Sequence, residues 1–210
     1  MTTPNDFYTT LANAPLGRSF AKEEVPPEIW QTLGVGEVEG QVGNLHKIFF
    51  HETTFAGIWH IEEAKAAYLQ IGPYPQILYT AGQAGDTTGL LSWPDDLMNA
   101  QGLLLEALSH VKSQQPFQVN LDHLPLNPAD RCFLDAISQG YARVMLKGYG
   151  DTIAEKTRFS RLWRVRFFNV HGKLILDTLE VAVVPSIFMA TPEDWRVSQQ
   201  TLLRRTLAYR

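Results

Sequence analysis

Three histidines, His46, His51 and His60, lie close together in the first half of the chain. Imidazole is a common ligand for zinc, copper and nickel, so the trio raises the question of a metal centre. In a simple alternating strand pattern, however, a strand and a turn separate His51 from its neighbours. No acidic cluster completes a ligand set, and no metal site is expected. Glu37, Glu39 and Glu52 could serve as paired carboxylates for acid–base work. Their positions are better explained as an exposed acidic sheet face. Cys132 follows His123 closely enough to suggest a nucleophile and its base, but there is no elbow motif and no orienting third group. A lone cysteine on an apolar helix is expected in the core, and one cysteine alone can neither form an internal disulfide nor hold an iron–sulfur cluster. The glycine-rich stretch Thr80 to Gly89 lacks the lysine and the strand–helix flanks of a phosphate cradle, and reads as a surface connection. Arg158, Arg164 and Arg166 fall on one strand face near Phe167 and Phe168. With a sequence pI of about 5.8, that cationic face suits an acidic protein surface better than nucleic acid. No catalytic, cofactor-binding or metal-binding residue is expected, and the chain reads as a non-enzyme.

These residues cluster in two related stretches. HETTFAGIWHI, His51 to Ile61, returns as EKTRFSRLWRV, Glu155 to Val165. Pairing Phe55 with Phe159 and Trp59 with Trp163 sets one offset of 104 residues (159 − 55), which also matches Gly36 with Gly140 and Thr53 with Thr157. The aromatic pairs, retained in both stretches, read as core anchors. Ala56, Gly57 and His60 belong to the first stretch alone, where Ser160 and Arg161 replace the Ala-Gly pair in the second. They are therefore the candidates for contact with a partner, together with Arg158, Arg164 and Arg166.

The surrounding elements follow from hydrophobic period and punctuation. Pro26-Pro27 opens a short helix, and alternation from Gly36 predicts a meander in which Phe55, Gly57, Trp59 and Ile61 share one strand face. Ser92-Trp93-Pro94 starts a helix that runs through Leu104 to Val111, and Asn127-Pro128-Ala129-Asp130 starts another that ends at Gly140. A second meander follows from Tyr141 to Val183. A last helix, capped at Thr191, carries Arg204, Arg205 and Arg210 at its end.

The expected fold is α+β: two tandem helix–antiparallel meander–helix repeats with pseudo-twofold symmetry in one compact body. Residues 1–25 form an N-terminal arm, 26–115 the first repeat and 116–210 the second. The composition, 45% hydrophobic and 19% charged over 210 residues, supports a buried core of that size. No run of about 18 apolar residues and no secretory leader is evident, so the expectation is a cytoplasmic protein that does not engage the membrane. Residues 1–115 carry 5 Lys+Arg against 13 Asp+Glu (5 − 13 = −8), and residues 116–210 carry 13 against 9 (13 − 9 = +4).

The runs Gly36-Glu37-Val38 and Glu52-Thr53-Thr54-Phe55-Ala56-Gly57-Ile58-Trp59, with Val119 to Asp130 (VNLDHLPLNPAD), resemble the hydrogenase expression/formation proteins of the HupH/HyaF/HoxQ type. The resemblance spans roughly Pro26 to Trp195. It implies a cytoplasmic accessory chaperone for maturation of a nickel–iron hydrogenase, binding the iron–sulfur-bearing small subunit as a precursor before assembly and export. Other hydrogenase accessory proteins are further implied partners, and a homodimer stays open. The resemblance carries over no catalytic residue and no cofactor. The alternative from another class is a small-molecule-binding or hydrolytic protein that uses a cleft between the two repeats, with His60 or His123 beside a carboxylate.

Overall fold

The computed structural model describes residues 4–86, 93–138 and 141–208. Ser92 as a helix cap, residues 87–89 of the glycine-rich stretch, Gly140 as a helix end and Arg210 lie outside the described residues. Within them, ten strands, paired antiparallel, and six α-helices make a sheet-rich fold. In chain order the elements are α1 (Pro4–Asn13), β1 (Ser19–Ala21), α2 (Pro27–Thr32), β2 (Val38–Val42), β3 (Ile48–Glu52), β4 (Ile58–Glu63), β5 (Ala66–Ile71) and α3 (Gln76–Gln83). Then come α4 (Ala100–Ser113), β6 (Phe117–Asn120), α5 (Pro128–Ile137), β7 (Ala142–Leu146), β8 (Thr152–Lys156), β9 (Leu162–Phe168), β10 (Leu174–Val181) and α6 (Pro192–Ala208).

The chain divides into two compact units, Met1–Gln76 with Phe188–Arg210, and Ile77–Ile187. In the first unit the strands run in the order β1-β5-β4-β3-β2. Its helices bury Phe7, Tyr8 and Leu11 of α1, Ile29 of α2 and Leu202 of α6 against Phe20, Ile58, Leu69 and Ile71 of the strands. In the second unit the order is β7-β8-β9-β10-β6. There α4 (Leu104, Ala107, Leu108, Val111) and α5 (Leu134, Ile137) pack on Leu162, Leu179 and Val181.

This arrangement overturns the expected pair of tandem helix–meander–helix repeats. The helix α4, expected to close the first repeat, packs on strands of the second unit, while α6, expected to close the second repeat, returns to the first and packs along α1. An apolar helix face specifies burial but not which sheet provides it, so chain order misassigned both helices. The segment expected as an arm holds α1 and β1. A ten-residue helix is marginal alone, and α1 is stabilised by α6, nearly the whole chain away. Grouping by compact unit also removes most of the charge asymmetry. The first unit carries 8 Lys+Arg against 11 Asp+Glu (8 − 11 = −3), the second 10 against 11 (10 − 11 = −1).

Three local expectations also change. Thr80 to Gln83 is the end of α3 rather than loop, and Gly82 is required there because a Cβ would lie 1.8 Å from the Val183 carbonyl oxygen. The helix expected from Ser92 begins at Ala100, where the fully buried Asp130 carboxylate accepts the N–H groups of Met98, Asn99 and Ala100. Asp130 also accepts the N–H of Asn127 in the capping box of α5, so the PAD segment joins two helix N-termini. Burial alone would raise its pKa, but the donors from Ala100, Asn127, Asn99 and Met98 hold the carboxyl below the usual range. Cys132, expected in the core, is exposed on α5.

Candidate functional site

Phe55 and Gly57 were expected on a strand face with Trp59, but residues 53–57 form a turn between β3 and β4. Thr53 organises it: the hydroxyl accepts the Phe55 N–H at 3.2 Å, and the Thr53 N–H donates to the Ile58 carbonyl at 2.8 Å. Thr54 ties the turn to the end of α2, its hydroxyl donating to the Leu33 carbonyl at 2.7 Å. Trp59 and Phe55 are buried as core anchors, and the Trp59 indole N–H donates to the Gly72 carbonyl at 2.8 Å.

Gly57 takes φ +81°, a left-handed conformation that favours glycine. Its N–H donates to Glu52 Oε1 at 2.9 Å and its carbonyl accepts the Gly72 N–H at 2.9 Å. The bare α-carbon faces Trp195: a Cβ at this position would stand 3.1 Å from the indole ring. Trp195 lies in the first turn of α6, whose start is fixed by the Thr191–Asp194 capping box. The Ala190 N–H bonds the Pro73 carbonyl at 2.8 Å and fastens this segment to the end of β5.

Together these pieces enclose an apolar cleft of about 410 Å³ lined chiefly by Leu16, Gly57, Pro73, Met189, Pro192 and Trp195, with Arg196 also on its wall. The volume is in the range of side-chain and small-ligand pockets. The Glu52 carboxylate stands behind the Gly57 wall. Burial raises the Glu52 pKa, the Gly57 N–H opposes that, and the charges of Asp194 and Glu37 push it further up. Neither His60 nor His123 lines the cleft. Among the described residues no group of three or more His, Cys, Asp or Glu side chains is arranged to hold a metal ion.

Of the six residues singled out from sequence, Ala56 and Gly57 lie on the turn, with Gly57 in the cleft wall. His60 is placed elsewhere. It pairs across β3–β4 with His51, their rings 4.8 Å apart and nearly perpendicular, and stands beside Trp30 of α2, also at 4.8 Å. The expected separation of His51 from its neighbours therefore does not hold. Burial is the main cause lowering both histidine pKa values, and for His60 the neighbouring His51 adds to it, while nearby Glu62 pulls each back up.

Depressed imidazole pKa values favour neutral side chains in the folded state. Their stabilisation is complete above the unfolded value near 6.5 and declines as pH falls through the folded values. Both rings are partly buried, so the loss between pH 7.5 and 5.5 is expected to be about 0.5–1 kcal/mol. Urea midpoints at the two pH values should fall further apart for the parent than for the His51→Gln, His60→Gln double variant. Equal shifts would remove the pair from the account.

The three arginines do not share a free cationic face. Arg158 is exposed. Arg166 pairs with Glu155, and Arg164 is buried, held by Asp177 at 2.9 Å and 2.6 Å and by Asp135. Burial would lower the Arg164 pKa, but the two carboxylates more than offset it and keep the guanidinium charged. The second turn has the same backbone as the first with different chemistry. Arg161 takes φ 58°, and Lys156, at the position corresponding to Glu52, donates its ammonium to the Thr157 and Phe159 carbonyls. Burial pushes that lysine down to about 7.

Trp195 and Met189 were missed from sequence. The only local signal was the replacement of Gly57 by an arginine in the second stretch, which marked an opening without naming its opposite wall.

A family model described as "HupH hydrogenase expression protein, C-terminal conserved region" matches residues 97–208. The chain is similar to the hydrogenase expression/formation protein HoxQ of Cupriavidus necator, 32% identical over 82% of this chain and 65% of the relative. It is also similar to the hydrogenase-1 operon protein HyaF of Escherichia coli K12, 30% identical over 81% and 64%. A third relative is HupH of Rhizobium leguminosarum bv. viciae, 30% identical over 89% and 72%. The chain thus spans slightly under two thirds of the HoxQ and HyaF relatives. Among solved structures, the hydrogenase expression protein HupH from Thiobacillus denitrificans aligns with a TM-score of 0.48 and 26% identity, over 52% of this chain and 96% of that one.

Proposed function

We propose a maturation chaperone from one premise: the chain belongs to the HupH family of hydrogenase expression proteins. Relatives are named as hydrogenase expression/formation and hydrogenase operon proteins, which supports a role in hydrogenase maturation. The finer reading is a non-enzymatic accessory protein, working in the cytoplasm, that binds the small-subunit precursor of a nickel–iron hydrogenase before assembly and export. Among the described residues no helix is long and apolar enough to cross a membrane.

The observation that carries the reading is the cleft at Gly57. It is apolar and walled by Trp195, Met189 and two prolines. Such a surface can bind and cover an apolar segment. Covering a patch of the precursor until its partner subunit arrives is the physical content of chaperoning here.

Affinity purification of the tagged chain from cells expressing the hydrogenase operon anaerobically is expected to recover the small-subunit precursor. Recovery of neither a hydrogenase subunit nor another accessory protein would overturn the reading.

A further inference from the structure

We propose that the Gly57–Trp195 cleft receives an extended polypeptide segment in which large apolar side chains are flanked by lysine or arginine. The inference rests on the docking reading above and adds the chemistry of what docks.

The wall supplies shape and apolar surface but few hydrogen bonds. The Gly57 N–H is taken by Glu52, the Gly57 carbonyl by the Gly72 N–H, the Gly72 carbonyl by Trp59, and the Pro73 carbonyl by the Ala190 N–H. A ligand that depends on polar recognition deep in the cleft would find these groups engaged. A leucine- or isoleucine-sized side chain needs only the contact surface of Trp195, Pro73, Met189 and Leu16.

The charge around the cleft selects the flanking residue. Glu52 bonds Gly57 in its wall, and Asp194 caps the helix that carries Trp195. Glu37 is near enough to act on Glu52, as Asp194 does. Arg196, the charged side chain of the lining, is engaged with Glu193 one turn earlier on α6. An incoming ammonium or guanidinium gains attraction from these carboxylates, and an incoming carboxylate is repelled by them. Apolar wall and acidic surround are separate observations, and together they specify an apolar–basic segment.

The test uses fluorescein-labelled peptides and fluorescence anisotropy with the full chain. Gly-Ser-Leu-Lys-Leu-Lys-Ser-Gly is the probe, Gly-Ser-Leu-Glu-Leu-Glu-Ser-Gly reverses the charge, and Gly-Ser-Ser-Lys-Ser-Lys-Ser-Gly removes the apolar side chains. The Leu/Lys peptide is expected to bind about tenfold or more tightly than either control. Glu52→Gln keeps an oxygen to accept the Gly57 N–H and should retain the melting temperature, yet weaken the Leu/Lys peptide about threefold to tenfold and flatten its salt dependence. Equal or tighter binding of the Leu/Glu peptide, binding of the Ser/Lys peptide as tight as the probe, an unchanged Glu52→Gln affinity, or no binding at all would each overturn the proposal. The affinity purification above reads the partner's identity independently. Precursor recovered without Leu/Lys selectivity defeats this inference alone, and selectivity with neither a hydrogenase subunit nor another accessory protein recovered defeats the maturation reading alone.

Discussion

Arg164→Ala is expected to destabilise the protein by about 3–5 kcal/mol while leaving partner binding at the permissive temperature unchanged. The guanidinium is buried in β9 and bridges Asp177 of β10 and Asp135 of α5. Asp177 is 2% exposed, so removing the arginine strands a carboxylate with little access to water. The backbone N–H of Asp177 in turn donates to Asp122, which draws the segment before α5 into the same network. Thermal melts should show a fall of about 10 °C, the scale for a loss of this size in a chain this long. Arg158→Ala, on an exposed side chain, should shift the melt by less than about 1 °C. A small effect for Arg164→Ala would mean that the ion pair contributes no more than a hydrated surface pair. Loss of partner binding in a still-folded Arg164→Ala protein would restore the residue to the docking surface.

Gly57→Arg is the second large effect, and it falls on binding rather than on folding. The backbone tolerance is visible in the same chain, since Arg161 adopts φ 58° in the corresponding turn. At Gly57 the new Cβ would press on the Trp195 ring at 3.1 Å, and the guanidinium would extend toward the carboxylates of Glu52 and Asp194. The left-handed conformation costs about 1–2 kcal/mol for a residue with a side chain, and the chain should stay folded. The arginine would occupy the cleft and neutralise its surround, so recovery of the small-subunit precursor should fall about a hundredfold, as for loss of a central interface anchor. Unchanged recovery from a folded variant would remove the 53–57 turn from the functional account.

These two residues differ in how far their roles could be read in advance. Gly57 was legible because its counterpart is an arginine, a change that a core position would not accept. Its conformation was not legible: period-two alternation through Phe55, Gly57, Trp59 and Ile61 describes a strand, and the Thr53 hydroxyl that closes a turn instead leaves no trace in the period. Arg164 read as one of three cations on a strand face. Spacing placed it on the same face as Arg166 but carried no information on Asp177 and Asp135, which approach from another strand and a helix. His51 and His60 were judged too far apart because register between β3 and β4 was unknown. Antiparallel pairing sets them directly opposite each other.

From sequence alone came the meander strands, the capped α5, α2 behind its two prolines, the aromatic anchors Phe55, Trp59, Phe159 and Trp163, and the family. All of these rest on short-range signals: side-chain alternation, cap chemistry, proline and glycine positions, and a contiguous run of matched residues. Only the tertiary structure decided that α6 belongs with α1 and α4 with β9 and β10, that a segment expected as an arm is a packed helix and an edge strand, and that Trp195 walls the opening at Gly57. The physical reason is common to all three. Burial of an apolar face is a demand that a sequence states locally but that any complementary face can meet, and which one does so depends on how the whole chain closes.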